Sequence, residues 1–261
     1  MNWKKFPYPD PAFDYTAVTL RHAWHRLHAG DCEAWPRSAA LIDAWIDFHA
    51  GRFEVAARAG LREGMEGYAV ANKACCMQAT YLDATSVAKC ARLQDVAERC
   101  LQQQEQQPAC VAAFYWHGYA LGRTSQEMSI VTALAQGVGG KVKASLERTL
   151  ELAPRHADAH IALGVYHAEI IDKVGAMLGA LTYGASRTRA IGHFDTALRL
   201  NPHSAIARVE YARALVMLDG TRAADAASKL YREAAALAPF DAMERLDVER
   251  AKRDGQQALA Q

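Results

Sequence analysis

Three features of the 261-residue sequence predict an all-α solenoid of stacked helix hairpins. Helical phrases end in proline at nearly equal intervals, at Pro108, Pro154 and Pro202, as in Ser145–Pro154 (SLERTLELAP) and His193–Pro202 (HFDTALRLNP). An apolar segment of the form Ala-Leu-x-x-Gly stands at the same place in two successive units, Ala133–Gly137 and Ala180–Gly184. No stretch alternates apolar and polar residues with the two-residue period of a strand. A repeat of this length marks units too thin to bury their apolar faces alone, which must therefore stack.

Taken in order, residues 1–13 read as an extended, proline-rich arm. A first helix follows from Asp14, the expected N-cap, to Ala29, with Leu20, Trp24 and Leu27 among its apolar contacts and Gly30 at its end. Pro36 is expected to open the next helix, where Leu41, Ala44, Trp45 and Phe48 fall on one face. Gly51 breaks it, and Arg52–Ala56 begins the return helix. Gly64 and Gly67 separate that hairpin from a helix ending near Tyr81. Asp83 is expected to cap a long helix that closes in the glutamine run Gln102–Gln107, a solvated end to which no function attaches. Two long units span residues 108–202. A shorter one spans 203–239, pairing Ala205–Leu218 with Ala223–Leu237, and a charged helix over 240–258 closes the array with a polar outer face. Residues 14–258 thus form a single expected domain, with degenerate repeats over 37–107.

The second long unit resembles the tetratricopeptide repeat. His160-x-x-Leu163-Gly164-x-x-His167 stands where that family has Trp-x-x-Leu-Gly-x-x-Tyr, and Ala190, Phe194, Ala197 and Pro202 match its Ala, Phe, Ala and Pro. Ala227, Tyr231, Ala234 and Pro239 repeat these landmarks. Histidines replace the usual aromatics, and an insertion between the Gly and Ala landmarks lengthens a typical unit of about 34 residues. The resemblance implies a right-handed solenoid of about five hairpins, lengthened helices in the two central repeats and a capping helix at each end. Over residues 114–202 there is a fainter likeness to two groups. Leu121-Gly122-Arg123 is similar to a phrase of the regulators of microtubule dynamics. Leu163-Gly164-Val165-Tyr166 and His193–Leu198 are similar to phrases of the T component associated with TRAP transporters.

Composition sets the remaining bounds. Hydrophobic residues make up 51% and charged residues 23%, enough for a sizeable core. The net charge of +1 gives no reason to expect nucleic acid or an anionic membrane as the main partner. Tyr8-Pro9-Asp10-Pro11 follows the first residues where a signal would have an apolar run, and no segment reaches the length of a membrane span. The expectation is a cytoplasmic protein. Six cysteines without a Cys-x-x-Cys pair read as reduced core fillers, not metal ligands.

The chemistry-bearing clusters each have a plain alternative. His156, His160 and His167 share a helix face, but two of them occupy packing positions, so packing is expected and metal ligation is not. His22, His25 and His28 are expected to face solvent or a neighbouring helix. Gly137–Lys141 lacks the flanking Gly and Ser or Thr of a phosphate-binding loop, and reads as a hinge. No Gly-x-Ser-x-Gly elbow and no carboxylate pair speak for catalysis, and no cofactor is implied.

The functional expectation is therefore a non-catalytic scaffold that holds a protein or peptide partner. By the register of the resembled family, Tyr115, Tyr119, Arg123, Asp158, Ile161, Val165, Glu169 and Arg213 face inward. Replacing Tyr119 and Arg123 with Ala is expected to weaken partner capture without unfolding the protein. The duplicated insertions, Met128–Gly139 and Val174–Gly184, pack on each other as a second small core or else rim a pocket. The latter gives the alternative, a module that binds a small apolar ligand beneath Leu134 and Leu181. A third reading, an enzyme with a site invisible in sequence, stays open.

Overall fold

The computed structural model describes residues 2–259, with side chains through residue 258; Met1 of the expected arm lies outside the described residues. Among the described residues there are fourteen α-helices and no strand. They are α1 (Ala17–Leu27), α2 (Ala39–His49), α3 (Phe53–Arg62), α4 (Tyr68–Met77), α5 (Ser86–Gln106), α6 (Val111–Gln126) and α7 (Ile130–Ala135). Then come α8 (Val138–Leu152), α9 (Ala157–Val174), α10 (Ala176–Tyr183), α11 (Arg187–Leu200), α12 (Ala205–Asp219), α13 (Ala224–Ala235) and α14 (Ala242–Leu259). The chain divides into two compact units. The first comprises Met1–His28, Cys32–Pro154 and Phe240–Met243; the second comprises Ala29–Asp31, Arg155–Pro239 and Glu244–Gln261.

In the first unit the hairpins are α2–α3, α4–α5 and α6–α8, with α3 against α4 and α5 against α6. Close approach between α3 and α4 depends on glycine. A Cβ on Gly67 would lie 2.0 Å from the Gly60 carbonyl oxygen, which leaves no room for any other residue. Trp45, Phe48, Phe53, Ala56, Ala71 and Ala74 are buried at the centre of this packing. The arm is anchored to it. Phe6 meets Phe53 edge-on at 6.2 Å, Phe13 is buried, and Arg92 donates to the Asn2 carbonyl at 2.9 Å while lying over the Trp3 ring.

The second unit stacks the hairpin α9–α11 on α12–α13 through α9 and α12. Here the repeat landmarks meet in space. The Phe194 ring lies over Gly164, so close that a Cβ there would be 2.7 Å from it, and stacks on Tyr211 at 4.8 Å. Val248 and Ala251 of α14 join Val209, Ala212, Ala227 and Tyr231 in one cluster.

Three helix starts differ from expectation, each because a hydroxyl caps better placed N–H groups. Thr16, not Asp14, begins α1, through a reciprocal box with Thr19. Ser38, not Pro36, caps α2, and Thr85, not Asp83, caps α5. Asp83 is instead buried and accepts from Arg92 Nε at 2.8 Å and Gln78 Nε2 at 3.0 Å. The insertions also take a form of their own. Instead of prolonging α6 and α9 without a break, each folds as a short separate helix, α7 after the Ser129 cap and α10 after Gly175 at φ 82°.

Candidate partner-binding surface

Within the first unit, α6 lies between α5 and α8 and also touches α4. This brings Tyr115, Tyr119 and Arg123 onto one face, spaced by four residues. Tyr115 is buried, its ring 4.8 Å from Trp116 and 6.1 Å from Tyr119. The Tyr119 hydroxyl shares a hydrogen bond of 2.8 Å with Thr80 Oγ1. Burial pushes that phenol above its usual range, and the neighbouring Arg123 pulls it part of the way back. The Arg123 guanidinium lies 5.2 Å from the centre of the Tyr119 ring and reaches Gln126 at 3.3 Å. Tyr119 and Arg123 both keep part of their surface in solvent. An aromatic face beside a planar cation can take a peptide by stacking, cation–π contact and hydrogen bonding.

Within the second unit, Asp158, Ile161, Val165 and Glu169 lie on α9 and Arg213 on α12. Ile161 is buried in a cluster with Ala168, Phe194, Ala197, Ala207 and Ala214, and Val165 packs at its edge. Asp158 is half-buried beneath the chain's own Gly30. Its N–H donates to the Gly30 carbonyl at 3.0 Å, and a Cβ on Gly30 would lie 2.4 Å from its carboxylate. Glu169 pairs with Lys173 at 3.5 Å, and Arg213 leans toward Glu210 at 3.9 Å. The structure thus joins Tyr119 to Arg123 and leaves Glu169 and Arg213 as accessible charges. It places Tyr115 and Ile161 in the interior, away from any surface a partner touches. Leu134 and Leu181, 45% and 85% exposed, stand in solvent and line no interior.

Sequence reasoning missed a buried polar cluster of the first unit. Trp24 stacks on His28 at 3.9 Å and Trp45 on His49 at 5.8 Å. The His49 Nδ1 hydrogen-bonds Asp241 at 2.7 Å, both side chains being almost fully buried. Lys73 is buried too, its ammonium over the Trp45 and Phe48 rings. In the sequence its trace is a repeated phrase, His28-Ala29-Gly30 and His49-Ala50-Gly51, which sets each histidine just before a glycine turn. The histidines of the second unit divide their work. His156 caps α9 by accepting from Ala159 N–H, while His160 bonds His193 at 2.9 Å and His167 stacks on the same ring. Among the described residues, no three His, Cys, Asp or Glu side chains are arranged to hold a metal ion. Burial raises the Cys75, Cys76 and Cys100 thiols, the last to about 12, which keeps them protonated and unreactive at neutral pH.

No family model matches the sequence, and no curated protein matches it. Among solved structures it is similar to the crystal structure of TTC0263, a thermophilic TPR protein in Thermus thermophilus. The TM-score is 0.60 at 16% sequence identity, over 85% of this chain and 98% of that one. The fold is that of a tetratricopeptide-repeat (TPR) protein. In TPR terms α2, α4, α6, α9 and α12 are first helices of their hairpins, and the Gly164–Phe194 contact is the small-residue approach that holds a hairpin together. Among the described residues no helix of this TPR-like chain is long and apolar enough to cross a membrane.

Proposed function

We propose that the protein is a non-catalytic scaffold that holds a protein or peptide partner on the first helices of its hairpins, with Tyr119 and Arg123 as the anchor. The observation that carries this reading is their pairing: a half-buried aromatic ring fixed by Thr80, with a guanidinium laid over it and still open to solvent. Few interface residues supply most of the binding energy, and aromatic and Arg side chains dominate among them. Glu169, Arg213 and the half-buried Asp158 and Val165 would contribute polar and apolar contacts in the second unit. Tyr115 and Ile161 act as support for the helices that carry these groups.

The test is capture from a lysate of the source cell with the wild-type protein, Arg123→Ala, and the Tyr119→Ala/Arg123→Ala double variant, each with a melting curve. A partner retained by wild type, lost or weakened about tenfold by the double variant, supports the reading. Equal capture by all three proteins, alongside a lowered melting temperature for the double variant, refutes it. The melting temperature of Arg123→Ala should stay closer to that of wild type than that of the double variant does, because Arg123 keeps part of its surface in solvent while Tyr119 is fixed by Thr80.

A further inference from the structure

Two stretches left unused by partner capture carry no charge. Residues 128–140 and 174–186 contain no Asp, Glu, Lys or Arg, in a chain where charged residues make up 23%. Both fold as short helical tips, α7 in the first unit and α10 in the second. Helix α10 rises between Gly175 at φ 82° and Gly184 at φ 64°, and a Cβ on Gly175 would meet nothing within 4 Å. It touches α9 where Gly179 meets Ile170. Met177 is 86% exposed, Leu178 51% and Leu181 85%. Ala176, Ala180 and Thr182 are exposed as well, so the helix offers apolar surface around most of its circumference. In α7 no residue is buried, and Ile130, Val131 and Leu134 all stand in solvent.

A helix that docks on a protein presents one apolar stripe and turns a polar face to water. These tips have no polar face to turn. An apolar phase that closes around a tip from all sides fits them better than a groove does. Basic residues stand at the base of both tips. Around α10, Lys173, Arg187 and Arg189 are matched by Glu169, Asp172 and Asp219, and around α7 cations lead, with Arg123, Lys141 and Lys143 against Glu127 and Glu147. Arg187 is engaged by Asp219, while Arg189 is exposed and holds only the Gly184 carbonyl at 3.3 Å. The net charge of +1 is a sum over the whole chain and says nothing of this local order. We infer that each tip inserts into the interfacial layer of an anionic phospholipid membrane, its apolar side chains among the acyl chains and the basic residues at its base among the headgroup phosphates. An eight-residue helix is about 12 Å long, which reaches into one leaflet and no further.

The experiment is flotation of the full chain with vesicles of phosphatidylcholine alone and of equal parts phosphatidylcholine and phosphatidylglycerol. Wild type should float with the anionic vesicles and not with the neutral ones. Met177→Asp/Leu181→Asp and Val131→Asp/Leu134→Asp should each lower partitioning by about tenfold or more, and Lys141→Glu/Arg189→Glu should lower it at low salt. Melting temperatures should not move, since the replaced side chains are exposed. Failure of wild type to bind anionic vesicles, or undiminished binding by the Asp variants, overturns the inference. So does a dimer in light scattering that the Asp variants split, with wild type absent from the vesicles; the tips would then be a contact between two copies. Neither result bears on Tyr119, whose partner capture is measured separately.

Discussion

Gly164 and Gly192 lie on facing helices of one hairpin, and the same substitution should have opposite effects at the two. A methyl group at Gly164 would press into the Phe194 ring at 2.7 Å, whereas one at Gly192, in the middle of α11, would meet nothing within 4 Å. Gly164→Ala should cost about 1–3 kcal/mol by overpacking. Gly192→Ala should add about 1 kcal/mol by removing backbone freedom from the unfolded chain. Denaturant melts of the two variants check both signs. His193 makes a second residue-scale prediction. Burial, the adjacent His160 and Arg189 lower its pKa from 6.5 to about 4. The unfolded chain therefore takes up the proton first, so this group's effect is absent above about pH 6.5 and stability falls as pH drops from 6.5 toward 4. Thermal melts at pH 7 and pH 5 should show a smaller loss for His193→Gln than for wild type.

At the scale of elements, the buried pair of Arg92 and Asp83 ties the start of α5 to the arm. The guanidinium holds the Asp83 carboxylate, the Asn2 carbonyl and the face of Trp3 together. Arg92→Ala leaves a buried carboxylate without its cation and should cost about 3–5 kcal/mol. Removing the arm through residue 6 should cost less, because Asp83 keeps its partner. Chemical melts of the two variants test this order. Much of the element plan was legible in the sequence. Prolines, Gly51 and the Gly164–Phe194 landmarks act within a turn or a hairpin, where spacing alone carries the signal. Helix starts were less so. Asp14, Thr16, Asp83 and Thr85 all suit an N-cap by type, and the choice depends on which side chain the rest of the fold claims. Arg92 claims Asp83 from nine residues away. The surface was half legible for a similar reason. Register puts Tyr115 and Ile161 in line with Tyr119 and Val165. Their burial depends on what packs above them, Trp116 for one and the alanines of α12 for the other.

At the scale of the molecule, each of the two units is completed by a few residues from a distant part of the sequence. Unit one takes in Phe240–Met243, where the Phe240 carbonyl accepts from the Tyr15 hydroxyl at 2.8 Å and Asp241 meets His49. Unit two takes in Ala29–Asp31, where Gly30 lies on Asp158. No periodic reading of a repeat array could supply these links, since they break the rule that a repeat touches only its neighbours. Asp241→Ala removes the acceptor of a fully buried ring nitrogen and should cost about 1–3 kcal/mol. Fluorescence of Trp24 and Trp45, which pack around His28 and His49, should report the loss.

The separation of His49 from Asp241 also has a consequence in time. A nascent chain leaves the ribosome amino end first, and 192 positions divide these two partners. The early hairpins can therefore gather while translation proceeds, yet the imidazole waits until its carboxylate, 192 positions later, has been made. Emergence of Asp241 from the exit tunnel, and not the folding of any early hairpin, should be the moment at which that contact locks.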